Sequence, residues 1–551
     1  MLFTKLKGKA QKTFISVYRF PGLGAGDMRV IKATESICPE CLGVLPATIY
    51  EEDGRVFISK ACPEHGEFKD LYWGDAEQYE RAASYEHLGG RMANPRTEEK
   101  EGCPGDCGIC PNHRSTTALG IIDVTNRCNL RCPICFAHAG AEGYLYEPTR
   151  NQIRDMMLNL MGNEPVWTPA LQLSGGEPTV REDLPELVEM AKEIGFVHVE
   201  VNSNGVRMAE SPDYCRELKR AGVDSVYLQF DGVTPEPYVK VRGFNLLPIK
   251  LRALKNLKDA GFFSVVLVPV LVRGVNDNQV GDIIRFAVEN RNCIRAVNFQ
   301  PVSITGRINR EERESMRITI PDLMRLVEEQ TGGFIKKGDW YPVPAVQPLT
   351  SFLSRMKEES FVDFCAHPHC GMGTYLFMDG DAVEPIPRII DVDETLGAFA
   401  KANKRLLDGE EILGKLELAA SLLKNIRFRA LSRYISDVVL HSDYLSLNRM
   451  HHKMILVSSM HFMDPYNFDL ERARRCVIHY ATPDGRIIPF CTMNTIHRER
   501  VERRFARSLN EWSNTPLYDV DSLTKRIIEE DDRRGDSRFT ELATPLLTRG
   551  H

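Results

Sequence analysis

At 551 residues and 43% apolar content, the chain can build a core domain of about 200 residues with sizeable additions. A formal charge of −6 and a pI near 6.2 leave no electrostatic footprint for nucleic acid, and no run reaches the ~18 apolar residues that span a bilayer. The N-terminus lacks a signal-peptide core, so the chain reads as cytoplasmic, where fifteen cysteines point to metal more than to disulfides.

Residues 1–35 form a basic segment in which Lys5, Lys7, Lys9, Lys12 and Arg19 mix with Leu2, Phe3, Leu6, Phe14 and Phe20. Such a mixture suits a solvated tail or a peripheral contact with an anionic inner membrane face. Residues 36–74 hold two knuckles, Cys38-Pro-Glu-Cys41 and Cys62-Pro-Glu-His65, joined by a hairpin that turns at Asp53-Gly54. A closed Cys3His site suits zinc or a mononuclear, rubredoxin-like iron. It offers substrate no open position, so its role is structural or electron-relaying.

After the charged linker PRTEEKEG, the domain at 95–117 carries Cys103, Cys107 and Cys110 among glycines, with His113 three residues on. Small residues between thiolates let backbone N–H groups approach bridging sulfides. The loop therefore reads as an auxiliary iron–sulfur site, with zinc as the alternative and with His113 or a distant residue as fourth ligand.

Residues 118–302 repeat strand, loop and helix, with strands at ALGIIDVT, ALQLSGG, FVHVEVNSNG, SVYLQFDG, FSVVLVPVL and RAVNFQPV. Six such units predict an α/β fold in which parallel strands make a partial (β/α)6 barrel, with ligands at their carboxyl ends. The first strand runs into Cys128-Asn-Leu-Arg-Cys132-Pro-Ile-Cys135-Phe136, and the second ends in Gly175-Gly176-Glu177-Pro178. Three thiolates so spaced can hold three irons of a [4Fe–4S] cube and leave the fourth open.

These two motifs resemble those of radical S-adenosylmethionine (SAM) enzymes. The resemblance implies that the open iron chelates the amino and carboxylate groups of SAM. One electron then yields methionine and a 5′-deoxyadenosyl radical that takes hydrogen from an unactivated C–H bond. It further implies that Cys128, Cys132 and Cys135 are the catalytic cluster ligands, that Phe136 lies near adenine, and that Gly175, Gly176, Glu177 and Pro178 receive the SAM amino group. Ser203 and Asn204 would meet the ribose hydroxyls. Gln229, Asp231 and Gln300, at later strand ends, read as cofactor-binding or cavity-lining residues. Cys215 and Cys293 stand alone in helix-like segments and read as buried apolar side chains.

Residues 303–364 connect the barrel to the C-terminal domain and are the expected substrate-cavity region. They comprise a basic stretch, GRINREERESMR, an amphipathic helix over Pro321–Gln330, and the Pro-rich WYPVPAVQPL. Residues 365–551 form a C-terminal auxiliary-cluster and helical domain, in which Cys365, Cys370, Cys476 and Cys491 supply four thiolates for a closed [4Fe–4S] cluster. His367, His369 and His479 lie close enough in sequence to substitute. Residues 409–440 predict one long amphipathic helix with Ile412, Leu416, Leu418, Leu422, Leu423, Ile426 and Leu431 on one side, as core or as the lining of a lipid channel.

Taken in order, these groups resemble the archaeal tetraether lipid synthase group, also described as radical SAM methylases of a dihydropterin. The resemblance implies coupling of the terminal methyl carbons of isoprenoid (phytanyl) chains of archaeal ether lipids into macrocyclic tetraethers. Its alternative is methylation of a dihydropterin or other small molecule. It implies SAM, one or two auxiliary [4Fe–4S] clusters, one mononuclear iron or zinc, and a ferredoxin- or flavodoxin-type electron donor. His65 departs from a four-cysteine rubredoxin site, which leaves the mononuclear metal open.

Overall fold

A computed structural model describes residues 28–140, 143–357, 360–380, 382–425, 453–507 and 518–534. Most of the basic segment expected at 1–35, and the second half of the helix expected at 409–440, lie outside the described residues. No helix among the described residues is long and apolar enough to cross a membrane.

Four consecutive antiparallel strands open the described chain: β1 (Arg29–Ile37), β2 (Val44–Glu52), β3 (Arg55–Cys62) and β4 (Gly66–Trp73). The turn between β2 and β3 places Asp53 and Gly54 at φ 52° and 70°, the left-handed pair that matches strand twist in a two-residue hairpin. Alternation along β3 buries Val56, Ile58, Lys60 and Cys62.

The barrel strands are β5 (Leu119–Thr125), β6 (Ala170–Gly175), β7 (His198–Ser203), β8 (Ser225–Gln229), β9 (Val265–Val268), the short β10 (Val270–Leu271) and β11 (Ile294–Pro301). β5, β6, β7, β8, β9 and β11 are neighbours in that order and pair in parallel, as the sequence predicts. Helices Arg150–Met161, Leu184–Ile194, Pro212–Ala221, Leu247–Asp259 and Val280–Glu289 lie between them in the chain. Covered on both faces, the strands bury near-continuous apolar runs, including Ile122, Val124, Leu171, Leu173, Val199, Val201, Val226 and Leu228. Helix ends follow local chemistry: a Thr149/Gln152 capping box starts the first, and left-handed Gly195 and Gly222 stop the next two.

The later strands are β12 (Tyr341–Pro342), β13 (Gly371–Asp379), β14 (Ala382–Pro385), β15 (Met454–Met460), β16 (Ile478–Ala481) and β17 (Ile487–Pro489). They extend the barrel sheet at both edges. β15 pairs in parallel with β11 and carries β13 antiparallel on its far side, while β16 pairs in parallel with β5 and carries β17. Residues 461–477 therefore take the chain from one edge of the barrel sheet to the other.

One expected apolar face divides. In the helix Glu411–Asn425, Leu418 and Leu422 are buried against Phe352 and Phe399, but Ile412 and Leu416 are 77% and 63% exposed. Leu416 and Leu418 are two residues apart, about 200° around a helix of 3.6 residues per turn, and cannot share one face.

Candidate active site

The cluster loop is held by its own Arg131 and by Arg307, which follows the last barrel strand and forms an isolated bridge with Cys135. Cys135 and Arg307 exchange backbone hydrogen bonds, at 3.0 Å from Cys135 N–H and 2.9 Å from Arg307 N–H. The Arg307 side chain donates to the carbonyls of Cys132 at 3.1 Å and Ala139 at 2.8 Å, and Arg131 donates to that of Cys128 at 2.8 Å. Cys128, Cys132 and Cys135 thus line one cavity with Phe136, Gly175, Gly176, Glu177, Ser203, Asn204, Gln229 and Gln300. Burial, then the neighbouring Cys132 and Glu177, pushes the Cys128 thiol well above its usual range. A metal that binds thiolate would offset that penalty.

Gly175 and Gly176 are required by close approach. A Cβ at Gly175, which sits at φ 134°, would fall on the Thr125 carbonyl oxygen, and one at Gly176 on that of Arg127. The same contact lets Gly176 and Glu177 N–H donate to Thr125 and Arg127 carbonyls, both at 2.8 Å, and so fixes β6 against the start of the cluster loop.

Glu177 is buried and its carboxylate is heavily used. It accepts from Thr179 Oγ1 at 2.6 Å, Thr179 N–H at 3.1 Å, Ser203 Oγ at 2.9 Å and Asn204 N–H at 2.7 Å. Asn204 Nδ2 donates to Asn129 at 2.7 Å, and its Oδ1 accepts from Val206 N–H at 3.0 Å. These three residues therefore brace the ends of β6 and β7 as well as facing the cavity. Pro178 begins a buried single turn behind them and does not line it.

Asp231, expected at the cavity wall, turns away from it. Fully buried, it takes Arg242 in a two-point ion pair, with Nε at 2.7 Å and Nη2 at 2.8 Å. Lys250, also fully buried, donates to Gln229 Oε1 at 2.7 Å and to the Asn204 carbonyl. Burial pulls its amine down to about 7, against Asp231. Nothing in the sequence singles out Arg242, Lys250 or Arg307 as part of this site. The nearest thing to a signal is the place of Arg307 in the basic stretch after the sixth strand.

Among the other cysteines, Cys38, Cys41, Cys62 and His65 bring their donor atoms within 4.8 Å of one another, the spacing of a single ion. His65 offers Nδ1, at 3.4 Å from the Cys62 sulfur and 3.6 Å from that of Cys38. Cys128, Cys132 and Cys135 do not close to that spacing. Three wider-set thiols fit the corners of a multi-iron cube better than one ion. His367, Asp469 and Glu471 do close to it, but the Lys32 ammonium already sits 2.6 Å from Glu471 and 3.6 Å from Asp469.

The Cys103, Cys107 and Cys110 loop is gathered by Asp106, whose carboxylate accepts from Lys100, Glu101 and Gly102 N–H at 2.6, 2.7 and 2.7 Å. His113 is not directed at these thiols. Its Nε2 meets Ser115 Oγ at 2.9 Å, the Cys476 carbonyl at 3.0 Å and His479 Nε2 at 3.0 Å. Of the four C-terminal cysteines expected together, Cys370, Cys476 and Cys491 lie near enough to perturb one another. Cys365 instead donates its S–H to Asp363 at 2.6 Å. His369 stacks on Tyr79 at a centroid distance of 3.9 Å, and its Nε2 meets the Tyr79 carbonyl at 2.9 Å. Cys491 lines the same cavity as Cys128, Cys132 and Cys135. Cys215 and Cys293 are buried in the core, as expected.

The Radical SAM superfamily model matches residues 122–287, and that of the HMPTM N-terminal zinc ribbon domain matches residues 30–74. The chain belongs to the radical SAM superfamily. Within it, the chain belongs to the same family as the 7,8-dihydro-6-hydroxymethylpterin dimethyltransferase of Methanocaldococcus jannaschii. The two are 50% identical over 493 residues, 87% of this chain and 97% of the relative. The GTP 3′,8-cyclase of Peptoclostridium acidaminophilum is 26% identical over 230 residues, 40% of this chain and 68% of the cyclase. The solved structure of Streptococcus suis SuiB is 18% identical with a TM-score of 0.33, covering 40% of this chain and 47% of SuiB.

Membership implies a [4Fe–4S] cluster and SAM, and the three-thiol loop that lines the cavity has the donor set such a cluster needs. The likeness to the dihydropterin relative matches the alternative side of the expected resemblance better than lipid coupling.

Proposed function

We propose that this radical SAM enzyme methylates a reduced pterin, with 7,8-dihydro-6-hydroxymethylpterin as the first substrate to try. The observation that carries the reading is the 50% identity, over 97% of its length, to a relative whose name states that activity. The cavity supports it. Gln172, Glu200, Asn202, Tyr227 and Gln300 all line it, and Gln172 Nε2 donates to Glu200 Oε1 at 2.6 Å. A buried carboxylate among amides suits the edge of a pterin, where a ring N–H and an exocyclic amine both offer hydrogens.

When bound, the cluster and SAM supply a radical able to remove hydrogen from carbon, which side chains cannot do. Cys128, Cys132 and Cys135 would hold that cluster. Arg242 and Arg307 would keep its loop in place, and Glu200 would orient the substrate. The remaining ligand sets belong to the same proposal. Cys103, Cys107 and Cys110, and Cys370, Cys476 and Cys491, hold auxiliary clusters, and the ribbon holds one zinc or iron.

One observation favours a second reading, coupling of the terminal methyl carbons of ether-lipid isoprenoid chains. Part of the same cavity is apolar, lined by Val268, Val270, Val302, Met460, Phe462 and Phe490. A terminal methyl offers a base no acidic hydrogen, and an apolar wall keeps water from a carbon radical.

The test is anaerobic incubation of iron-loaded protein with a strong reductant, either the dihydropterin or a diether lipid, and excess SAM, one molecule supplying the radical and a second the methyl group, followed by mass spectrometry. A pterin product heavier by one or two methylene groups supports methylation. Loss of two hydrogens per joined pair supports coupling. No product with either substrate, while 5′-deoxyadenosine still forms, sinks both readings.

A further inference from the structure

We propose that Arg472 is the counter-charge of an iron–sulfur cluster held by Cys370, Cys476 and Cys491, and that it raises that cluster's reduction potential. The inference rests on reading those cysteines as cluster ligands.

Arg472 is 1% exposed. Its Nη2 donates to the His461 carbonyl at 2.6 Å and its Nε to the Cys370 sulfur at 3.4 Å, while Nη1 is buried with no partner among the described residues. No carboxylate among the described residues comes within the 4.0 Å of an ion pair. Other buried arginines nearby are compensated. Arg475 pairs with Glu86, and Arg317 lies 3.1 Å from Asp70 and 2.6 Å from Asp464. Asp469 acts on Arg472 from farther off, but its oxygens are taken by Thr34 at 2.7 Å and Tyr72 at 2.8 Å, with the Lys32 ammonium 3.6 Å away.

A buried cation without an anion is too costly for a fold to keep, so an anion belongs beside Arg472. The groups that act on the guanidinium are the Cys370 sulfur, Tyr72, whose ring centroid lies 5.7 Å from its carbon, and the Cys491 sulfur, and none of them is a carboxylate. His461 marks the same place: its backbone N–H donates to the Cys370 carbonyl at 2.9 Å, and both of its buried ring nitrogens lack partners. A thiolate-ligated cluster is anionic and accepts hydrogen bonds at sulfur, so it supplies both the missing charge and an acceptor for Nη1. A fixed cation there favours the more negative, reduced cluster. Arg472 is thus a positioning residue that acts through the cluster.

The experiment is a potentiometric titration followed by electron paramagnetic resonance, on full-length protein carrying Cys128→Ala, Cys132→Ala and Cys135→Ala. The signal that disappears on adding Cys476→Ala belongs to this site. If Cys476→Ala removes no signal and no iron, the cluster reading itself fails, before Arg472 is tested. With the signal identified, Arg472→Gln should raise the oxidised-to-reduced ratio at fixed potential at least tenfold, a midpoint lower by 59 mV for one electron. Arg472→Lys, which keeps the charge, should shift it less. An unmoved midpoint in Arg472→Gln overturns the proposal. So does loss of this site's iron in both variants, because Arg472 would then be needed only for folding.

Discussion

Arg242 grips Asp231 with two hydrogen bonds, at 2.7 and 2.8 Å, and its remaining Nη1 donates to the Ile134 carbonyl in the cluster loop at 3.2 Å. One buried ion pair therefore ties the end of the fourth barrel strand to the loop that carries Cys128, Cys132 and Cys135. Truncating Arg242 to Ala would strand the Asp231 carboxylate in the interior and cost about 3–5 kcal/mol. Anaerobic denaturant unfolding would measure the loss. The double change Asp231→Asn with Arg242→Met should recover part of it, because no buried charge then remains.

Gly176→Ala should cost the cluster before it costs the fold. A side chain there must displace the Arg127 carbonyl, and with it the first residues of the cluster loop. The expected result is a drop of at least tenfold in 5′-deoxyadenosine formation, with iron lost from this site alone. Iron analysis and resonance spectra of the variant check this against retained iron elsewhere.

Metal binding to the N-terminal ribbon should weaken as pH falls. A bound metal needs thiolates and a neutral imidazole, so protons compete with it. The Cys62 thiol beside His65 raises the imidazole's affinity for protons, so acid reaches His65 early. Metal retained against a chelator should therefore decline on acidification, and His65→Cys should hold its metal to lower pH than His65→Ala. Equal retention by the two variants would contradict a ligand role for His65.

Lys60 supplies a stability signature on the alkaline side. Its ammonium is buried in the ribbon and donates to Ser36 at 2.9 Å and to the Pro465 carbonyl at 2.6 Å. Burial, against Asp464 and Asp70, pulls it down to about 8 from 10.5. Between those values the unfolded chain binds the proton and the folded one does not, so stability rises with pH, by up to about 1.4 kcal/mol per unit. Lys60→Met should abolish that rise. Denaturant midpoints of both proteins between pH 8 and 10 decide it.

The cysteine spacings, the Asp53-Gly54 hairpin and the six parallel β/α units are all readable from sequence, because each depends on residues a few positions apart. A knuckle, a two-residue turn and an amphipathic period are local geometry, and local geometry leaves a local pattern. The same holds for the two glycines of the second strand, though only the fold shows which carbonyls they admit.

Other features depend on where distant segments meet. Arg472 lies 102 residues from Cys370, and Asp231 is buried only because Arg242 is there to neutralise it. Neither pattern nor spacing marks Cys365 as the member of its group that turns to Asp363, or predicts that the C-terminal strands join both edges of the barrel sheet. The sequence by itself determined the class of chemistry and the barrel, and named the candidate ligands. The tertiary structure decided which thiols meet and which charges pair, because both depend on desolvation and on the path of the chain through space.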